Sequence, residues 1–186
     1  MVKAFLVLCL VLPAAVSAGS LESLSVTRDG KHYSVTMVAS LEATQQQVWA
    51  VLAGPEALRK LNDAIVEIDY SESPNKAATR RATSVIRLCV LFFCKHLNQT
   101  QDLFQEPNHL RAEVIPALSD FEQGYGDWKV SSLNGAAQLT FVAALEPKFW
   151  IPPLIGPWVI RHKMANEAQV TMSNIENLAK GLMPRP

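Results

Sequence analysis

An excess of charge of either sign is missing from this chain. Its 186 residues carry 17 Lys or Arg against 17 Asp or Glu, and together these make up 18% of the sequence. Binding to nucleic acid needs Lys and Arg clustered enough to displace the counterions of a phosphate backbone. No such cluster is present, and Arg80-Arg81 reads as a solvated strand start, so no nucleic-acid partner is expected. Glycine-rich phosphate loops, dinucleotide fingerprints and a Gly-x-Ser-x-Gly elbow are absent too. The histidines, His32, His96, His109 and His162, are scattered without paired spacing for metal. Neither a metal nor a cofactor is expected. Beyond the first residues no apolar run approaches the roughly 20 residues of a membrane-spanning helix.

Cysteine is scarce, at three residues. Cys9 falls inside residues 1–18, which have a basic start at Lys3, an apolar run from Ala4 to Ala15 and the small-residue ending Val16-Ser17-Ala18. This is the layout of a secretory signal peptide, too short to span a bilayer permanently. Cleavage is expected between Ala18 and Gly19, which sends the chain across the inner membrane, with the periplasm as its expected compartment. Disulfides persist there. Cys89 and Cys94 flank Val90-Leu91-Phe92-Phe93. If a four-residue turn joins two antiparallel strands, the two cysteines oppose each other at about 5 Å between Cα atoms, within disulfide reach. So small a loop contributes only about 2 kcal/mol. Buried free thiols and a redox or metal pair are the rival readings. The lack of further ligands and of a Cys-x-x-Cys motif favours a structural disulfide.

What is present reads as one domain. Residues 31–41 alternate Tyr33, Val35, Met37, Ala39 and Leu41 with polar or small neighbours, which predicts a half-buried strand. Thr44 and Gln47 form a capping box ahead of Val48, Val51 and Leu52, and Gly54-Pro55 stops that helix. A second short helix is predicted over residues 56–61. Six strands follow, over 64–72, 79–89, 94–104, 110–116, 121–132 and 137–145, separated by turn residues such as Asn134-Gly135. Gly124 and Gly126 within one strand suggest a bulge or bend. Residues 147–157 are proline-rich and apolar. Residues 158–182 form a long amphipathic helix with Val159, His162, Ala165, Ala168, Met172 and Ile175 near one face. A long cylinder laid in a bent sheet leaves a gap lined by apolar side chains, which is a physical route to a ligand cavity.

Val48-Trp49-Ala50-Val51-Leu52 before Pro55-Glu56, Phe121 to Trp128 in a late strand, and Glu146-Pro147 before the last helix resemble the START-like or SRPBCC superfamily. The similarity is to the branch of polyketide cyclases, dehydrases and coenzyme-Q-binding lipid-transport proteins. It implies an α+β helix-grip fold: a curved antiparallel seven-stranded sheet wrapped around a long C-terminal helix, with two short helices after strand 1. Residues 19–30 then form an N-terminal segment, 31–182 the ligand-binding domain and 183–186 a tail expected to fray. The fold does not determine the guest or whether chemistry follows.

The apolar tip between the cysteines and the stretch from Phe149 to Trp158 each admit two readings, simple packing or a gate that touches ligand or membrane. The residues expected to contact an apolar guest are Leu88, Phe92, Phe93, Phe121, Tyr125, Trp128, Ile151, Leu154, Ile155, Trp158 and His162. No catalytic residue is assigned. Asp120, Glu122, His96 and His162 are the groups a cyclase, dehydratase or hydrolase would use. The expected partner is a hydrophobic small molecule or lipid, with transient contact to a membrane surface. The reading is an exported, non-enzymatic carrier. An enzyme acting on a hydrophobic metabolite is the alternative, and a protein-binding module is a third possibility. The sequence leaves the oligomeric state unassigned.

Overall fold

The computed structural model describes residues 19–54, 57–90, 93–150 and 157–182. The leader, Leu91 and Phe92 of the tip, and Ile151, Leu154 and Ile155 of the proline-rich stretch lie outside these residues, as does the C-terminal tail. For Phe93 and Trp158 only the backbone is described.

The chain opens with β1 (Ser20–Asp29) and β2 (His32–Leu41), followed by α1 (Gln45–Ala53) and α2 (Ala57–Leu61). β3 (Ile65–Ser71), β4 (Arg80–Val90), β5 (Phe93–Glu106), β6 (His109–Val114), β7 (Phe121–Leu133) and β8 (Ala136–Pro147) come next, and α3 (Pro157–Ala179) closes the fold. All eight strands form one antiparallel sheet in the order β1-β2-β8-β7-β6-β5-β4-β3. β1 and β3 are its open edges.

The sheet has one strand more than the seven expected. β1 occupies what the sequence suggested was a bare N-terminal segment. It pairs with β2 from Ser20↔Ser40 to Asp29↔His32 around a turn at Gly30, whose φ of 58° suits glycine. Asp29-Gly30 was the available signal, since Asp-Gly favours tight hairpins. The second strong turn, Asn134-Gly135, holds φ at 53° and 84° and joins β7 to β8 as expected.

The helix signals act locally. The Thr44 side chain accepts from the Gln47 amide while the Gln47 side chain accepts from the Thr44 amide, which satisfies two donors at the start of α1. Val48 and Leu52 then point into the core, fully buried. α3 ends at Ala179, earlier than 182, because Gly181 and Leu182 turn back to donate to the carbonyls of Leu178 and Asn177.

The buried apolar residues fall into three clusters. The largest joins Met172 and Ile175 of α3 to Met37, Ala39 and Leu41 of β2, Leu139 of β8, and α1. A second gathers Ile68, Ala82, Leu103, Leu110 and Ala112 across β3 to β6. A third holds Leu97, Val114 and Phe121, with Leu145 and Phe149 against them.

Candidate functional site: a trough between the sheet and the last helix

Register determines which side chains share the inner face of the sheet. Met37 opposes Phe141, Phe141 opposes Trp128, and Trp128 opposes Leu110. Ala39, Leu139 and Val130 form the next row. All of these face the helices. α3 makes its closest backbone approach to the sheet at β1 and β2, and it packs on α1 and α2. Met172 and Ile175 of α3 pack with Leu41 of β2, Val130 of β7 and Leu139 of β8, and the inner face of the sheet extends past that cluster toward β4. On that surface Ile86, Trp128, Phe141, Ala143 and Leu145 are only half-buried, although each is apolar. With Phe149, which packs with Leu145 against the third cluster, they make this part of the inner face the candidate surface for an apolar guest.

Two glycines shape this wall. A Cβ on Gly126 would lie 2.7 Å from the Trp128 ring, and one on Gly124 would lie 2.5 Å from a Leu145 methyl. Both glycines thus make room for a large neighbour. The expected bulge exists, but the register shifts between Phe121 and Gln123, ahead of the glycines. Trp128 and Phe141 stack with ring centroids 4.9 Å apart, tilted by 34°.

A polar strip crosses the same wall. Gln99 opposes Ser84 and Gln101 opposes Ala82 and Val114, so Ser84, Gln99 and Gln101 share the inner face. Ser84 and Gln99 are buried, and the Ser84 hydroxyl donates to the Gln99 carbonyl at 3.3 Å. This strip lies outside the site residues expected from the sequence. The signal was available in β5, where the inward alternation Leu97, Gln99, Gln101, Leu103 places two amides among leucines.

The remaining expected site residues are distributed as follows. Phe121 is buried in the third cluster, and Leu88 is 37% exposed at the end of β4. Tyr125 is 43% exposed and stands on the outer face with Asp127, one position out of phase with the wall glycines. His162 is exposed on α3. Cys89 and Cys94 form a disulfide with Cα atoms 4.0 Å apart. Val90 also pairs with Phe93, so the ladder runs one pair past the cysteines, where a four-residue turn was expected. Next to the bridge, the Lys95 ammonium lies 4.1 Å above the Phe149 ring, tying the β4–β5 hairpin to the segment that leads toward α3.

The ionisable groups lie elsewhere. His109 Nε2 sits 2.7 Å from Asp127 on the outer face, beside a groove of about 340 Å³ that Phe104, Glu106 and Arg111 also line. His32 lies 3.4 Å from Glu146, and His96 and Glu122 are exposed. Asp120 accepts from the Asn98 amide at 2.7 Å. Among the described residues no three His, Cys, Asp or Glu converge as metal ligands, and no helix is long and apolar enough to cross a membrane.

The expected solvated arginine pair is in fact engaged. Arg81 forks onto Asp102 at 2.9 and 3.2 Å, and Ser73 donates to the same carboxylate at 2.7 Å. The guanidinium holds the buried Asp102 carboxyl below its ordinary range, against the opposing effect of burial. Arg80 donates to the Ala53 carbonyl at 3.1 Å and lies over the Tyr70 ring. Each arginine has a partner because alternation sends one to each face of β4.

Comparison with solved structures identifies the architecture. A START superfamily protein from Mycobacterium smegmatis superposes with a TM-score of 0.59 at 10% identity, over 75% of this chain and 94% of that one. A fragment of a STAR-related lipid transfer protein from Xanthomonas axonopodis gives 0.56 at 11% identity, over 84% and 98%. An aromatase/cyclase from Streptomyces sp. R1128 gives 0.52 at 13% identity, over 81% and 92%. The fold is the START-like helix-grip fold. No family model matches the sequence, and no curated protein does.

Proposed function

We propose that the chain is an exported carrier that holds a hydrophobic small molecule, such as a lipid or quinone, in the trough between its sheet and α3. The observation that carries this reading is the apolar wall of Ile86, Trp128, Phe141, Ala143 and Leu145, which stays only half-buried beside the packed core. Apolar surface left beside a packed core favours a guest by roughly 25 cal/mol for each Å² it shields from water. The strip of Ser84, Gln99 and Gln101 offers hydrogen bonds to one polar end of such a guest, which sets its orientation. The START and lipid-transfer neighbours share this architecture, and the disulfide suits a chain that works outside the cytoplasm. Phe149, which the Lys95 ammonium ties to the β4–β5 hairpin, is the proposed entry point for a guest and the surface proposed to touch a membrane.

Native mass spectrometry of the exported protein, followed by lipid extraction, tests the reading. An apolar molecule carried through purification is the expected result. Protein that arrives empty and also fails to bind fluorescent lipids rules the carrier out. The enzymatic alternative has its own signature: loss of the cellular phenotype on replacing His96, Asp120, Glu122 or His162.

A further inference from the structure

The start of the described chain meets a buried carboxylate. Glu176 of α3 is 9% exposed, and its Oε2 accepts from the backbone nitrogen of Gly19 at 3.0 Å. Its other oxygen faces Lys180, which also reaches Glu42 at 3.4 Å. Gly19 is half-buried, and a Cβ there would lie 2.3 Å from Glu176 Oε2 and 2.9 Å from the Ser40 carbonyl. A glycine is therefore the residue that lets this nitrogen come up to this carboxylate. The charges do not balance while the nitrogen remains an amide, because the carboxylates of Glu42 and Glu176 share the one ammonium of Lys180.

We propose that Glu176 is the acceptor site for a new N-terminus at Gly19, and that removing the leader completes a balanced cluster of two ammonium and two carboxylate groups that fastens edge strand β1 to α3. The proposal rests on the export reading. In the covalent step, water adds across the Ala18–Gly19 peptide bond under a leader peptidase. The new carboxylate departs with the leader, and the freed amine of Gly19 takes up a proton. An α-amino group with an ordinary pKa near about 8 carries that proton at neutral pH. A charged donor then replaces a neutral one on a shielded carboxylate, which adds the attraction between two opposite charges to the hydrogen bond.

The test compares the chain that begins at Gly19 with one that begins two residues earlier at Ser17, each with Glu176 and with Glu176→Gln. The Gly19 chain is expected to melt about 3–6 °C above the longer one. Glu176→Gln is expected to remove most of that gap. Acetylating the Gly19 amine, which removes the charge without touching Glu176, is expected to bring the Gly19 chain down to the longer one, and it keeps the test open if Glu176→Gln does not fold. Equal melting of the two starts, a gap that survives Glu176→Gln, or an acetylated chain as stable as the free one overturns the proposal. The intact mass of the exported protein tests the cut separately. A chain beginning at Gly19 supports it, and a chain retaining Ala18 overturns it. The lipid-extraction result bears on neither.

Discussion

The two halves of α3 come from one amphipathic helix but are used in opposite ways. Toward its end, Met172, Asn174, Ile175 and Glu176 are buried in succession or nearly so, and Asn174 donates to the Leu61 carbonyl of α2 at 3.3 Å. Toward its start, Arg161, His162 and Lys163 are all exposed, and so are Asn166, Gln169 and Val170. The closed half fastens helix to sheet through β2, β8 and α1. The open half stands beside the half-buried wall. A helix that filled the sheet along its whole length would gain more apolar burial but leave nothing for a guest. Here the buried contacts are concentrated at one end, and the proposed guest sits toward the other.

The strongest test of that division is a pair of truncations. Ile175→Ala empties a site that is 1% exposed in the closed half. It should cost about 2–5 kcal/mol in urea unfolding, and lipid binding by the protein that remains folded should be nearly unchanged. Phe141→Ala, in the half-buried wall, should cost less stability and weaken lipid binding by roughly tenfold, the equivalent of about 1.4 kcal/mol. Leu145→Trp sharpens the contrast, because it adds bulk on the half-buried wall where the guest is proposed to sit. It should block lipid at a stability cost of about 1–3 kcal/mol in urea unfolding, below that of Ile175→Ala. If all three variants lose stability and binding in step, the two halves are not separable and the division is wrong.

The legibility of the molecule follows the same split. The closed half could be read from local rules: Thr44 and Gln47 announce α1, alternation announces β2, and the 3.6-residue stripe through Met172 and Ile175 announces α3. β1 was missed because Ser20–Asp29 has few large apolar residues, and its pairing depends on the turn at Gly30. The open half is harder because a wall is a cross-strand property. Trp128 joins Phe141 and Leu110 only once register is known. The polar strip had a visible trace in Gln99 and Gln101, but alternation alone does not show which face of a strand lies inside. Tyr125 shows the cost of this, since one position of phase moves it from the wall to the outer face.

The disulfide tests the open end next. Closing so short a loop stabilises by about 2 kcal/mol, so replacing Cys89 and Cys94 together with serine should lower the urea midpoint only modestly. Ile86 of the wall and the polar strip of Ser84, Gln99 and Gln101 stand on the two strands this bridge joins, so lipid retention should fall by more than the stability loss predicts. Hydrogen exchange should speed up in the β4–β5 hairpin and not at Ile175. Faster exchange at Ile175 would mean that the two ends are coupled.

The smallest effects concern pH, and they should appear at different places in the fold. Arg81 holds the Asp102 carboxyl below its ordinary value of 3.8, so the folded pKa is depressed. The stability Asp102 contributes is therefore present above that value and is lost as pH falls through the lower folded one. Asp102→Asn should be less stable than wild type at neutral pH, and the difference should shrink toward zero in acid. Lys180 has the opposite sign. The hydrogen bond to Glu176 raises its ammonium pKa above the ordinary 10.5, so its contribution is present below 10.5 and is lost as pH rises through the raised value. Lys180→Met should thus differ from wild type at neutral pH and converge with it in strong alkali. Acid should loosen β4 and β5 first, and alkali should loosen the end of α3 first, as read by site-resolved hydrogen exchange. Lys180 is the more exposed of the two, so about 1 M salt should reduce its difference more than that of the buried Asp102. Opening of the same segment at both extremes would show that the sheet and the closed half of the helix unfold as one unit.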